Sequence, residues 1–292
     1  MKARAFNYCR VASVAEALDA YAACAGEARY LAGGQSLLPA LNLRLDALDL
    51  LIDIGRIADL RGVAVEGDVL RIGALTRHAE TLASPLIAAH APLLTQAAAY
   101  IAHPAIRNLG TMGGSLSLSD PASELPACMR ALDATLEITG PGGIRDVASD
   151  DFFRDLYETA LCPGELLTAV RVPLAAPGSR MHFAEIARRR GDYAMVGLAA
   201  NLVLTDGIVT SARLGFCSAG PTPMRAPAAE AALAGRPLDP DAIAAARAAL
   251  ADDISPDDDD SLSAAARMHL ARVLLGRVLG TLRDGSVEAV AA

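Results

Sequence analysis

The chain has 292 residues, enough for two domains at roughly 100–200 residues each. Hydrophobic residues make up 53% and charged residues 21%, a balance that excludes a disordered chain. A net charge of -8, an aromatic content of 4% and the absence of Trp exclude a basic, base-stacking nucleic-acid binder. No segment approaches the ~20 apolar residues of a membrane span, because Glu16, Asp19, His90, Pro92, Arg272 and Arg277 interrupt the apolar runs.

In chain order, Ser13-Val14-Ala15-Glu16 is a capping box that opens a helix ending near Gly26. Short strands follow at 29–32 and 48–54, making the first 56 residues a small α/β unit. Two β-rich runs around Glu66-Gly67-Asp68 read as a hairpin. A helix from about Thr76 and another over 85–101 precede a turn-rich loop over 103–121. A helix over 122–132, a strand over 134–139, a glycine turn over 140–143 and a strand over 166–172 complete this part.

The Pro/Gly-containing stretch 173–179 reads as a linker. Beyond it the pattern changes to strands over 181–188, 199–204 and 208–218, with Thr205-Asp206-Gly207 as a hairpin turn. Three helices follow, over 227–234, 240–251 and 261–282. The expected fold class is α+β, divided into 1–175 (parts of about 1–56 and 57–175), a smaller domain of antiparallel strands plus helices over 178–285, and a tail over 286–292.

Catalytic and metal signatures are missing. The five cysteines are odd in number and widely spaced, with no CxxC, the pattern of reduced intracellular thiols rather than a zinc site. Glu16 and Asp19 break any signal-peptide core behind Lys2, Arg4 and Arg10, so the chain reads as cytoplasmic. The acidic run Asp257 to Asp260 lacks the ligand-and-glycine alternation of a calcium loop and reads as a solvated helix approach. Gly34-Gln35-Ser36-Leu37-Leu38 lacks the last glycine of a nucleophile elbow. No catalytic residue and no metal ligand is assigned.

Two glycine pairs stand out: Ala32-Gly33-Gly34-Gln35-Ser36-Leu37 after a short strand, and Thr111-Met112-Gly113-Gly114-Ser115 in the long loop. Glycine lets backbone approach a ligand closely, and successive N–H groups make an anion-binding concavity. Ser36, Thr111 and Ser115 add hydroxyls. Two such loops suit a pyrophosphate, but neither has the spacing of a Rossmann fingerprint. On residues alone, ordinary tight turns account for the pattern equally well.

Together, in this order and about 80 residues apart, the loops resemble those of the FAD-binding medium subunit of the molybdenum hydroxylases, the xanthine dehydrogenase and aerobic carbon monoxide dehydrogenase family. The resemblance extends from Phe6-Asn7-Tyr8-Cys9-Arg10 through Leu43-Arg44-Leu45, His103 to Ser115, Asp120-Pro121-Ala122-Ser123-Glu124-Leu125-Pro126 and Arg188-Arg189-Arg190-Gly191-Asp192-Tyr193-Ala194 to Arg267–Leu275 of the C-terminal helix. Ser115 stands where the family usually has Asn, and Val11 where it usually has Pro.

The resemblance implies a non-Rossmann, two-part FAD-binding domain over 1–175 and a C-terminal flavoprotein domain. It places Ala32, Gly33, Gly34, Gln35, Ser36 and Leu37, with Thr111, Gly113, Gly114 and Ser115, around the FAD pyrophosphate. Glu124 would accept from cofactor hydroxyls, Ile101 and Leu167 would pack near the cofactor, and Tyr193 would cover the isoalloxazine. It implies a small iron–sulfur subunit and a large molybdopterin subunit as partners in a dimer of heterotrimers. Electrons would pass from [2Fe–2S] clusters to FAD and on to NAD, a quinone or another acceptor. The cysteine spacing provides no cluster in this chain itself. Two alternatives stay open: a stand-alone FAD-dependent oxidase or reductase, and a non-catalytic phosphate- or nucleotide-binding module.

Overall fold

Parallel strands cannot be joined by tight turns, and the first unit shows the consequence. In the computed structural model, which describes residues 2–285, Leu50–Asp53 lies between Asn7–Arg10 and Ala28–Leu31, parallel to both. Helices Val14–Ala23 and Leu37–Leu43 make the crossovers. The expected tail over 286–292 lies outside the described residues. Leu51 and Ile52 of the central strand are buried, each such side chain contributing about 1.5–3 kcal/mol. Ser13 Oγ accepts from Glu16 N at 3.1 Å, as a cap should. The Glu16 carboxylate reaches one residue further back than expected and accepts from Ala12 N at 2.8 Å.

The second sheet is antiparallel, in the order Val63–Glu66, Val69–Gly73, Leu166–Pro173, Thr135–Gly140, Gly143–Ala148. Two elements here differ from the sequence reading. The stretch 85–101 forms two helices, Pro85–His90 and Pro92–Ala98, broken at Ala91 with φ -143°; Pro92 lacks an N–H to continue the first helix and starts the second. The stretch 103–121 contains helices Pro104–Arg107 and Met112–Leu118. Thr111 caps the latter, which outweighs the weak helix propensity of two glycines.

The third sheet, Ser179–Ile186, Val196–Thr205, Ile208–Cys217 and Met224–Arg225, is antiparallel. Its central strand alternates: Leu198, Ala200 and Leu202 join the core under helices Pro227–Leu233, Pro240–Ala249 and Ala264–Asp284, while Ala199 joins the core of the second sheet. Period-two alternation thereby fastens one strand into two cores. Asp206 (φ 50°) and Gly207 (φ 79°) make the expected hairpin turn, both left-handed as a type I′ turn requires.

Polar contacts fix how the third sheet sits. Buried Gln96 accepts from Phe183 N at 2.8 Å. Arg213 donates to Arg130 O at 3.0 Å and pairs with Asp133 at 2.8 Å and Asp150 at 3.0 Å. Arg225 pairs with Asp150 at 2.9 Å. Gly215 presses on helix Glu124–Ala131, where a Cβ would lie 2.2 Å from the Ala127 carbonyl oxygen. Among the described residues no helix is long and apolar enough to cross a membrane. Replacing Gly215 with Ala is expected to lower unfolding free energy by about 1–3 kcal/mol through overpacking. Gly142→Ala, at a site open to solvent, is expected to change it by less than about 0.5 kcal/mol; urea denaturation of both variants checks the contrast.

Candidate functional site

The first glycine loop leaves the carboxyl end of strand Ala28–Leu31, where crossover sheets commonly place ligands. Gly34 has φ 71°, a conformation that favours glycine. The Gln35 amide folds back and donates to Gly33 O at 2.9 Å. Among the described residues, the backbone N–H groups of Gly33, Gly34, Gln35 and Ser36 have no hydrogen-bond acceptor. Ser36 is exposed and its hydroxyl makes no cap bond to helix Leu37–Leu43. The loop therefore presents a run of free donors.

The second loop is built the opposite way. Met112 N donates to Thr76 O and Gly113 N to Ala74 O, both at 2.8 Å. Gly114 N donates to Thr111 Oγ1 at 3.1 Å, and Ser115 N to Thr111 O at 3.0 Å. In this loop the cap and the 74–78 segment take up the N–H groups of 112–115. Gly113 faces inward, where a Cβ would lie 2.6 Å from Ala74 Cβ. Gly114 faces the first loop. A Cβ there would meet Thr111 Oγ1 and, at 3.9 Å, Ala32 Cβ, with nothing else within 4 Å.

The loops touch through Gly33. A Cβ on it would lie 2.2 Å from Leu109 O and 2.9 Å from Gly110 Cα. Two segments far apart in sequence thus form one cradle, with a donor-rich side at 33–36 and a rigid side at 109–115. Ser115, half-buried in the second turn of its helix, adds a hydroxyl; its shortfall against Asn is one N–H donor.

A further set of acidic and phenolic groups influence one another through space. Glu124 opens helix Glu124–Ala131; desolvation first, and then the Asp120 charge, push its carboxyl up to about 7. Asp120 is itself buried and raised by desolvation. Glu185, from strand Ser179–Ile186 of the third sheet, is pushed up to about 8 by burial and then by Glu124, and its Oε2 is buried with no hydrogen-bond partner. Tyr193 is 75% exposed, with its phenol raised by partial desolvation and then by Asp120 and Glu124. Its loop is braced by Gly191 (φ 85°), where a Cβ would lie 2.8 Å from Ala102 O.

Ile101 packs half-buried against the main core, and Leu167 lies within it on strand Leu166–Pro173. Sequence reasoning missed Glu185, which reads there as an ordinary polar strand position, and Tyr157, whose phenol is raised by burial and then by Asp120 and Tyr193. It also missed His78, buried beneath the second loop. Asp259 binds Ser261 and Arg267, and Asp258 accepts from Ala264 N at 2.6 Å, so the acidic run serves the start of helix Ala264–Asp284.

Comparison with known proteins gives two family matches: the FAD binding domain in molybdopterin dehydrogenase over residues 4–175, and the CO dehydrogenase flavoprotein C-terminal domain over 181–282. The chain is 38% identical over 275 residues to the carbon monoxide dehydrogenase medium chain of Afipia carboxidovorans, covering 94% of this chain and 95% of that one. It is 31% identical over 289 residues to a putative xanthine dehydrogenase FAD-binding subunit of Escherichia coli, covering 98% and 96%. A solved carbon monoxide dehydrogenase from Hydrogenophaga pseudoflava, lacking the Mo-pyranopterin moiety of its cofactor, superimposes with a TM-score of 0.95 at 36% identity, covering 98% of this chain and all of that one.

The raised carboxyls yield a pH dependence. A carboxyl held above its unfolded value of 4.5 costs stability progressively as pH rises from 4.5 through its folded pKa, about 8 for Glu185. Glu185→Gln removes this cost. Its thermal midpoint is expected to match the parent near pH 4.5 and to exceed it increasingly up to pH 8; a constant offset across thermal melts in that window defeats the assignment.

Proposed function

The chain belongs to the FAD-binding medium subunits of the molybdenum hydroxylases, and from that premise we propose that it is the electron-transfer subunit that takes electrons from [2Fe–2S] clusters of a small partner and delivers them to NAD, a quinone or another acceptor. It is an FAD-binding oxidoreductase subunit. The partners in this reading are a small iron–sulfur subunit and a large molybdopterin subunit, in a dimer of heterotrimers. The FAD-binding part occupies 1–175 and the C-terminal flavoprotein part 178–285.

The residues fit the cofactor. The observation that carries the reading is the contact of Gly33 with Leu109 and Gly110, which sets a run of unengaged N–H groups against a glycine-faced wall at Gly114. That is the chemistry of a pyrophosphate cradle. Gly33, Gly34, Gln35 and Ser36 would donate to the phosphates, with the Ser36 and Ser115 hydroxyls beside them. Ala32, Leu37 and Gly113 would shape the walls, and Thr111 would hold the second loop rather than bind. Glu124 would accept from cofactor hydroxyls. Ile101 and Leu167 would exclude water from the apolar side, and Tyr193 would lie over the ring system.

When bound, FAD supplies both one- and two-electron redox chemistry, which suits it to linking one-electron clusters to a two-electron acceptor. The polypeptide's part is to bind, orient and shield. Glu124 and Glu185 lie in a desolvated region that raises their carboxyls to about 7 and about 8.

Natively purified complex is expected to show a flavin spectrum, to release FAD on denaturation, and to contain iron–sulfur and molybdenum subunits. A chain that is colourless and takes up no added FAD overturns the proposal, and a flavoprotein that turns over without partners overturns the subunit role. Gly33→Ala, whose Cβ would drive the loops apart, is expected to weaken FAD binding about 5- to 150-fold, the equivalent of about 1–3 kcal/mol. Fluorescence titration of the apoprotein with FAD measures it.

A further inference from the structure

His78 opens helix His78–Ala83, and its ring is buried directly beneath the second glycine loop. Its backbone N–H donates to Gly110 O at 3.0 Å. A Cβ on Gly110 would lie 2.7 Å from His78 Cδ2 and 2.9 Å from Nε2. The imidazole therefore occupies the space that any side chain at 110 would need. Gly110 follows Leu109, whose carbonyl is the group that Gly33 packs against. The order of contacts is His78 ring, Gly110, Leu109, Gly33, running from the floor of the second loop to the donor run of the first.

The ring itself is unusual. Nδ1 is buried with no hydrogen-bond partner among the described residues. An unbonded buried polar group is costlier than an apolar ring of similar shape. Burial and then the Arg107 charge depress its pKa to about 4, which keeps it neutral. Of the other charged groups near it, Arg77 donates to Asn108 O at 2.8 Å and Glu80 accepts from Arg77 N at 2.7 Å. Those bonds tie the same helix start to the same loop. Helix Pro92–Ala98, packed alongside, carries no titratable side chain, and Pro85–His90 carries His90.

We infer that His78 is a positioning residue for the cofactor: its flat neutral ring sets the height of the second glycine loop and, through Leu109, the closure of the first loop on the FAD pyrophosphate. The inference rests on the FAD-binding function proposed above. The site is more specific than a packing position, because the space at 110 is shared between one large ring and one missing side chain.

The test is a size exchange read out by FAD affinity, using the full chain stripped of FAD and titrated with FAD, with the thermal midpoint of each apoprotein measured in parallel. His78→Ala removes the floor and Gly110→Ala collides with it; each is expected to weaken FAD binding about tenfold or more, the equivalent of about 1.4 kcal/mol. The double variant is expected to bind FAD more tightly than either single one, since the new methyl enters the vacated space. His78→Phe, which keeps a flat ring, is expected to stay within about threefold of the parent. If His78→Ala does not fold, Gly110→Ala and His78→Phe carry the test. Single variants that lower the apoprotein midpoint but leave FAD affinity within about threefold overturn the inference, as does strict additivity in the double variant. A parent chain that binds no FAD overturns the proposed function itself, whereas a parent and variants that bind equally well overturn only the role of His78.

Discussion

Backbone meets backbone where Gly33 lies against Leu109 and Gly110, and the rest of the site depends on that approach. A single Cβ at 33 would come within 2.2 Å of a carbonyl oxygen, far inside van der Waals contact. Because Gly33 has no side chain to hold the Leu109 backbone away, the end of a parallel strand and the start of a capped helix close into one cradle. The asymmetry of the cradle follows. The second loop satisfies its own N–H groups through Thr111, Thr76 and Ala74 and becomes rigid, while the first keeps its N–H groups unengaged. A wall whose N–H groups are satisfied thus faces a run of free donors.

The third sheet completes the surroundings. Its strand Val196–Thr205 contributes alternate residues to two cores, so the sheet cannot shift without disturbing both. Gln96, the arginine pairs around Asp150, and the close seat of Gly215 on Ala127 set its position. That mounting brings Glu185 and the Tyr193 loop from the C-terminal part to the acidic groups Asp120 and Glu124 of the N-terminal part. Individually these ion pairs are partly exposed and contribute modestly. Their value here is geometric.

Desolvation dominates the electrostatics of the buried titratable groups. Glu124 and Glu185 are raised first by burial and only then by neighbouring charge, and His78 is lowered for the same reason. Burial thereby keeps Glu185 mostly protonated at pH 7, leaves Glu124 about half ionised and holds His78 neutral.

The sequence by itself determined the elements whose cause is local. The Ser13 cap, the hairpins at Gly67 and Gly207, the alternating strands and the two glycine pairs follow from capping chemistry, left-handed backbone and side-chain periodicity, all of which act within a few residues. The family resemblance also singled out Glu124 and Tyr193 as candidates. Local reasoning erred where a single residue overrode a trend: Pro92 divides one expected helix, and Thr111 makes a helix of glycines read as a turn. What only the tertiary structure decided was which loop offers donors, which neighbours the acids have, and that His78 lies under Gly110. Those depend on contacts between residues tens of positions apart, and no periodicity or spacing carries that information, because through-space distance is set by packing of whole sheets and not by the chain between them.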